Sequence, residues 1–188
     1  MILEGIVTTH NDDGNVNVAP MGPIVDEPLS ALHLRPFRTS QTYRNLKREP
    51  FGVFHVTDDV LLFARAAINR LETLPTTFPA TVIAGTVLAD CCRWYEFEVT
   101  SLDDAQDRTE IIAQVVYRGR IRSFFGFNRA KHAVIEAAIL ATRLHLVPEV
   151  EVVSQFGALR VPVEKTAGPR ERQAFDLLER YVREQYDA

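Results

Sequence analysis

Along roughly the first two thirds of the chain, apolar and polar positions alternate as in half-buried strands, and over the last 60 or so residues the period becomes helical. Ile2 to Thr9 is β-rich, Asn11-Asp12-Asp13-Gly14-Asn15 is a turn signal, and Val16 to Val25 resumes with Val16 and Val18 alternating against Asn15 and Asn17. The pattern predicts a hairpin. Leu29 to Phe37 alternates Leu32 and Leu34 with His33 and Arg35, which predicts a third strand. Thr39 or Ser40 can then cap a short helix carrying Tyr43, Leu46 and Lys47, stopped by Pro50. Phe51 to Val56 reads as a fourth strand, and Thr57-Asp58-Asp59 opens a helix through Leu61, Leu62 and Ile68. The proline-flanked stretch from Leu74 to Pro79 reads as a loop. Val82 to Leu102 and Arg108 to Phe125 are two long β-rich runs, so six strands around one or two helices suggest a small closed or half-closed β-barrel.

The helical third starts with Asn128 as N-cap of a run through Val147, and Gly168-Pro169 starts another reaching about Tyr186. Between them the reading of Glu149 to Thr166 is open, with Pro162 arguing against an uninterrupted helix. The expected division is a barrel domain over 1–126 and a helical subdomain over 127–188.

Composition narrows the class. With 188 residues, 46% apolar and 24% charged, and a mean hydropathy of −0.06, the chain reads as an ordinary globular protein. Its 25 acidic against 21 basic residues give a net charge of −4, so no bulk field favours nucleic acid or an anionic membrane. Apolar runs are too short for a membrane helix and the N-terminus lacks a signal-peptide pattern, which leads us to expect a cytoplasmic protein. The cysteines, Cys91 and Cys92, are adjacent, a spacing that strains a mutual disulfide and fits structural thiols. The five histidines show no metal-ligand spacing, so no metal is expected.

Two segments carry candidate chemistry. In the strand around Ala19-Pro20-Met21-Gly22, Pro20 cannot donate to a ladder and Gly22 has no side chain, which leaves backbone free for a flat ligand or marks an edge strand leaving its sheet. Arg38-Thr39-Ser40-Gln41-Thr42-Tyr43-Arg44-Asn45 puts hydroxyls, an amide and arginines at a helix start, where unpaired N–H groups and the positive dipole end favour a phosphate. The plainer reading is a capped surface helix.

Taken together, Thr9, Gly14, Asn17, Ala19 and Pro20 at these spacings, followed by TSQTYRNL, resemble the flavin-binding split-barrel superfamily of pyridoxamine-phosphate oxidase-like proteins and flavin reductases. With EGIVTT (4–9), VTDD (56–59), FNRAKHAVIEAAILATRL (127–144) and VEKTAG (163–168), the chain is more closely similar to the DUF447 family. The resemblance implies a flavoprotein with FMN as cofactor, and a homodimer with FMN at the interface. Ala19, Pro20, Met21 and Gly22 would line the flavin ring, Arg38, Thr39, Ser40, Gln41 and Thr42 would cradle its phosphate, Asn45 would add a polar contact, and Thr9 and His10 would meet the ring edge. His55 stands where such strands are expected to carry Asn, which weakens the expectation of a ring contact there.

In the run from Asn128, Arg129, His132, Glu136 and Arg143 fall within roughly a 60° arc flanked by apolar residues. They form either a solvated stripe with internal pairing, a subunit contact, or a substrate wall in which Arg129 and Arg143 bind an anion and His132 or Glu136 moves a proton. The function expected is an FMN-dependent oxidoreductase, transferring hydride or electrons through flavin N5 between a small molecule and a nicotinamide donor. A flavin-binding or sensing protein without turnover is the alternative.

Overall fold

The computed structural model describes residues 1–187. Its elements in chain order are β1 (Gly5–His10), β2 (Val16–Met21), β3 (Ile24–Val25), β4 (Ala31–Leu34), α1 (Gln41–Arg48), β5 (Phe51–Val56), α2 (Val60–Ala67), β6 (Thr77–Pro79), β7 (Thr86–Leu88), β8 (Arg93–Asp103), β9 (Glu110–Arg120), α3 (Arg129–Ala141), α4 (Glu149–Thr166) and α5 (Pro169–Tyr186). Two compact units result: residues 1–57 with 73–124, and residues 58–72 with Phe125 onward. Helix α2 thus clusters with the C-terminal helices although it lies inside the 1–126 span.

The first unit is a split barrel. Seven antiparallel strands run in the order β2-β1-β5-β8-β9-β4-β3. The continuous run expected over Val16 to Val25 is broken at Gly22-Pro23, because Pro23 has no N–H to extend the ladder. Before the break the chain pairs with β1; after it, with β4 at the other end of the sheet. An Ile2–Ile24 bridge, with Leu3 N donating to Pro23 O (3.1 Å) and Val25 N to Met1 O (2.8 Å), ties that far end back to the residues leading into β1. Inside lie Val7, Leu32, Leu34, Phe54, Tyr95, Phe97, Ile111 and Ala113, with Tyr43 and Leu46 of α1 packed onto them. A buried phenylalanine such as Phe54 or Phe97 contributes on the order of 2–3 kcal/mol.

The outer face has its own small core. Val53, Val87, Cys91 and Trp94 pack there with Phe78, Ile83 and Tyr117 under the β6–β7 hairpin. The stretch read as a loop over 74–79 therefore contains strand β6; Pro79 is accommodated because it ends a two-stranded ladder. Trp94 lies across Gly119, where a Cβ would meet the indole at 2.0 Å. The Glu96 carboxylate is fully buried and accepts from the N–H groups of Thr81 (2.7 Å), Val82 (2.8 Å) and Ile83 (3.3 Å) and from Trp94 Nε1 (3.2 Å). Burial pushes its pKa up, but these donors outweigh burial and hold it below the usual carboxylate range. Both cysteines are buried and neither is in a disulfide.

The second unit packs an alanine-rich face of α3 (Ala130, Ala133, Ala137, Ala141) with Val152, Phe156 and Val163 of α4 and Ala174, Phe175 and Leu178 of α5. Helix α4 runs unbroken through Pro162, contrary to the expectation of an interruption. Its buried residues fall on both sides of the proline, so packing outweighs the missing N–H, and Asn128 Nδ2 satisfies the Thr166 carbonyl at its end (3.0 Å). Helix α3 ends at Ala141 rather than Val147; Pro148 disfavours helix in the residue before it, and residues 142–146 form turns. Helix α5 starts and ends as expected, Glu171 accepting from Gly168 N at 3.0 Å.

Candidate functional site

Ser40 is the N-cap of α1, its Oγ accepting from Tyr43 N at 3.2 Å. The first-turn N–H groups of Gln41 and Thr42 precede any helical carbonyl partner. Arg38 and Thr39 are exposed at the same end, and among the described residues their side chains make no hydrogen bond. Of the expected phosphate cradle, Arg38 and Thr39 are therefore open and fit the phosphate of FMN, whereas Thr42 is only 2% exposed and the side chains of Ser40, Gln41 and Thr42 are engaged within the chain.

A side-chain network fixes this helix against the barrel. Asn45 Nδ2 donates to Thr9 Oγ1 and to Asn11 Oδ1, both at 2.9 Å, while its Oδ1 accepts from Gln41 Nε2 at 2.7 Å. Asn17 Nδ2 donates to Thr9 Oγ1 and to Thr42 Oγ1, each at 3.1 Å. Thr9 and Asn45 are only 4% and 1% exposed, so both serve as internal supports of the cradle. At the other end of α1, Tyr43 Oη and Lys47 Nζ each donate to Asp104 at 2.6 Å. The ammonium, then the phenol, lower the Asp104 pKa to about 2, and the same carboxylate raises Lys47.

Next to the network is an open cleft of about 510 Å³ lined by Asn11, Asp12, Asp13, Gln41, Arg44 and Arg48. Arg44 donates to Thr39 O (2.7 Å) and Gln41 Oε1 (2.6 Å), and Arg48 to His10 O (2.6 Å) and Asp12. The sequence assigns Asn11, Asn17 and Arg48 no contact with a ligand, and it counts Arg44 among the arginines at the helix start, where the structure bonds it to Thr39 O and Gln41 Oε1. Asn17 is one of the spaced residues that carry the resemblance, but nothing in that spacing says its side chain bridges strand to helix.

Ala19, Pro20 and Met21 lie half-buried on β2, which among the described residues pairs with β1 alone and so stands at an edge of the sheet. Asn17, Ala19 and Met21 follow one another on one strand face, and the Asn17–Thr42 bond joins that face to the cradle. Gly22 has an explanation within the chain: a Cβ there would meet the Glu4 carboxylate at 2.7 Å. His10 sits on the opposite face of β1 from Thr9, its Nε2 2.8 Å from Thr86 Oγ1. His55 is fully buried, Nδ1 donating to Ile6 O (3.1 Å) and Nε2 accepting from Leu88 N (3.1 Å). Desolvation pushes its pKa down to about 4, so it is a neutral structural cross-link.

In the second unit, Arg129, His132 and Glu136 are exposed on α3, and Arg143 is exposed in the turn after it. Among the described residues no ion pair joins them, and the His132 ring stands edge-on to Phe127 at 6.0 Å. No cluster of three or more metal-ligating side chains occurs among the described residues, and no helix is long and apolar enough to cross a membrane.

Models of the N-terminal and C-terminal domains of DUF447, a protein family of unknown function, match residues 3–122 and 128–180. No curated protein matches the chain. Among solved structures, an FMN-bound protein from Methanosarcina mazei, itself assigned to DUF447, is 24% identical over 96% of this chain and 94% of its own, with a TM-score of 0.79. The 2-nitrobenzoate 2-nitroreductase of Pseudomonas fluorescens is 16% identical over 63% of this chain and 64% of its own, with a TM-score of 0.52. Nitrilotriacetate monooxygenase component B of Bacillus cereus is 19% identical over 66% and 71%, with a TM-score of 0.51. At these identities the likeness establishes the fold alone.

Proposed function

The chain belongs to the DUF447 family, and on that premise we propose that it is a flavoprotein that holds FMN on the first unit and works as an oxidoreductase. The observation that carries the reading is the start of α1, where Arg38 and Thr39 are exposed and the Asn17–Thr42 bond ties the helix to the edge strand β2. The FMN-bound Methanosarcina protein, alike over nearly the whole chain, supports it. When bound, FMN supplies hydride or electron transfer at its N5. The chain's own contribution is positional. Arg38 and Thr39 bind the phosphate, the Asn45–Thr9–Asn17 network holds their helix at a fixed place on the barrel, and Ala19, Pro20 and Met21 offer a flat, weakly polar edge to the ring. No side chain is required to act as acid or base for hydride transfer alone. The proposed donor is a nicotinamide nucleotide, the functional unit a homodimer, and the location the cytoplasm.

Two measurements test this. Replacing Thr39 by Glu sets a carboxylate against the phosphate and is expected to weaken FMN about 100-fold or more by fluorescence titration. Anaerobic mixing of the FMN-loaded protein with NADH or NADPH is expected to bleach the blue flavin absorption; inertness to both would leave a binding or sensing protein without turnover.

A further inference from the structure

The β8–β9 ladder carries a charge arrangement that the flavin reading does not use. Arg93 stands directly opposite Arg120, and Arg118 directly opposite Tyr95 two residues along. All three arginines are exposed. The other cross-strand neighbours, Val56 opposite Arg93 and Phe54 opposite Tyr95, are apolar. Among the described residues none of the three guanidinium groups has a carboxylate partner; Arg120 reaches only Ser123 Oγ at 2.7 Å. Like charges directly opposed in a ladder are unfavourable, and this chain has an acidic excess from which a partner was available. Strand β4 pairs with β9 as far as Gln114, so, among the described residues, 116–120 have β8 on one side and no strand on the other.

We propose that Arg93, Arg118 and Arg120 form a binding site for a phosphate-bearing small molecule, over the buried Tyr95 at their foot. A phosphate monoester or pyrophosphate carries close to two or more negative charges and enough acceptor oxygens for several guanidinium forks, which a single carboxylate does not. The site is separate from the α1 cradle. Arg38 N bonds to Asp107 O at the turn between β8 and β9, whereas Arg93 and Arg120 close the opposite end of that ladder. Ten residues of strand separate the two ends, about 30 Å.

The probe is inorganic pyrophosphate, titrated calorimetrically at low ionic strength into the FMN-saturated wild type, Arg118→Gln and the triple variant R93Q/R118Q/R120Q, and into Arg38→Glu without FMN. Wild type and Arg38→Glu are expected to bind one pyrophosphate per chain at this site, Arg118→Gln about tenfold more weakly, and the triple variant at least 100-fold more weakly. The positions are exposed; circular dichroism checks that every variant folds, and retained FMN binding checks it again for Arg118→Gln and the triple variant. Displacement of pyrophosphate by NADPH but not NADH assigns the ligand to a phosphorylated electron donor; displacement by neither assigns it to a phosphorylated substrate. Undiminished binding by the triple variant, loss of all binding in Arg38→Glu, or no binding by the wild type overturns the proposal.

Discussion

Asn45 is a buried amide whose donors and acceptor are all engaged, by Thr9, Asn11 and Gln41. Replacing it by Leu keeps the volume but strands those partners, which predicts a loss of about 1–3 kcal/mol in urea unfolding and weaker FMN binding through a loosened α1. His55 gives a prediction with a definite sign in pH. Its folded pKa of about 4 lies below the unfolded value of 6.5, so the unfolded chain takes up the proton first. Stability from this site is complete above pH 6.5 and falls as pH drops toward 4, by about 3 kcal/mol in all. Unfolding curves at pH 7.5 and 4.5 measure the fall, and His55→Gln should flatten it. At this scale the sequence was only partly legible. Ser40, Arg38 and Thr39 could be placed because a helix start has local rules, whereas the burial of Thr9 and Asn45 depends on contacts 36 residues apart that no local pattern encodes.

Among the elements, the loop over residues 80–85 is held to the outer face of the sheet by one carboxylate. Glu96→Gln turns an acceptor of backbone N–H groups into a partly repelling amide, with an expected cost of about 3 kcal/mol and faster hydrogen exchange at Thr81 and Val82. Pro162 sits inside α4, so Pro162→Ala restores a helical donor and is expected to raise the melting temperature. Strands flanked by strong turn signals, such as β1 and β2 around Asn11–Asn15, and helices with a marked start, such as α5 at Gly168-Pro169, were readable from local chemistry. Strand β6 and the continuity of α4 were not, because in both a proline that argues against regular structure is outweighed by tertiary packing. The transfer of the chain from one end of the sheet to the other at Gly22-Pro23 was equally hidden; hydrophobic alternation is the same on either side of it.

For the whole molecule, the fold and the family agree with the composition: an acidic chain that gathers arginines locally, at the start of α1 and at the end of the β8–β9 ladder. Anion recognition of this kind is directional, and it distinguishes ligands by where the phosphate sits. The central claim is that FMN is held through its phosphate at the start of α1. An equilibrium titration of the purified protein with FMN and with riboflavin, followed by flavin fluorescence, tests this most directly. FMN is expected to bind stoichiometrically and riboflavin at least 100-fold more weakly, while equal affinity for the two, or no binding of either, would rule out a phosphate site at the start of α1.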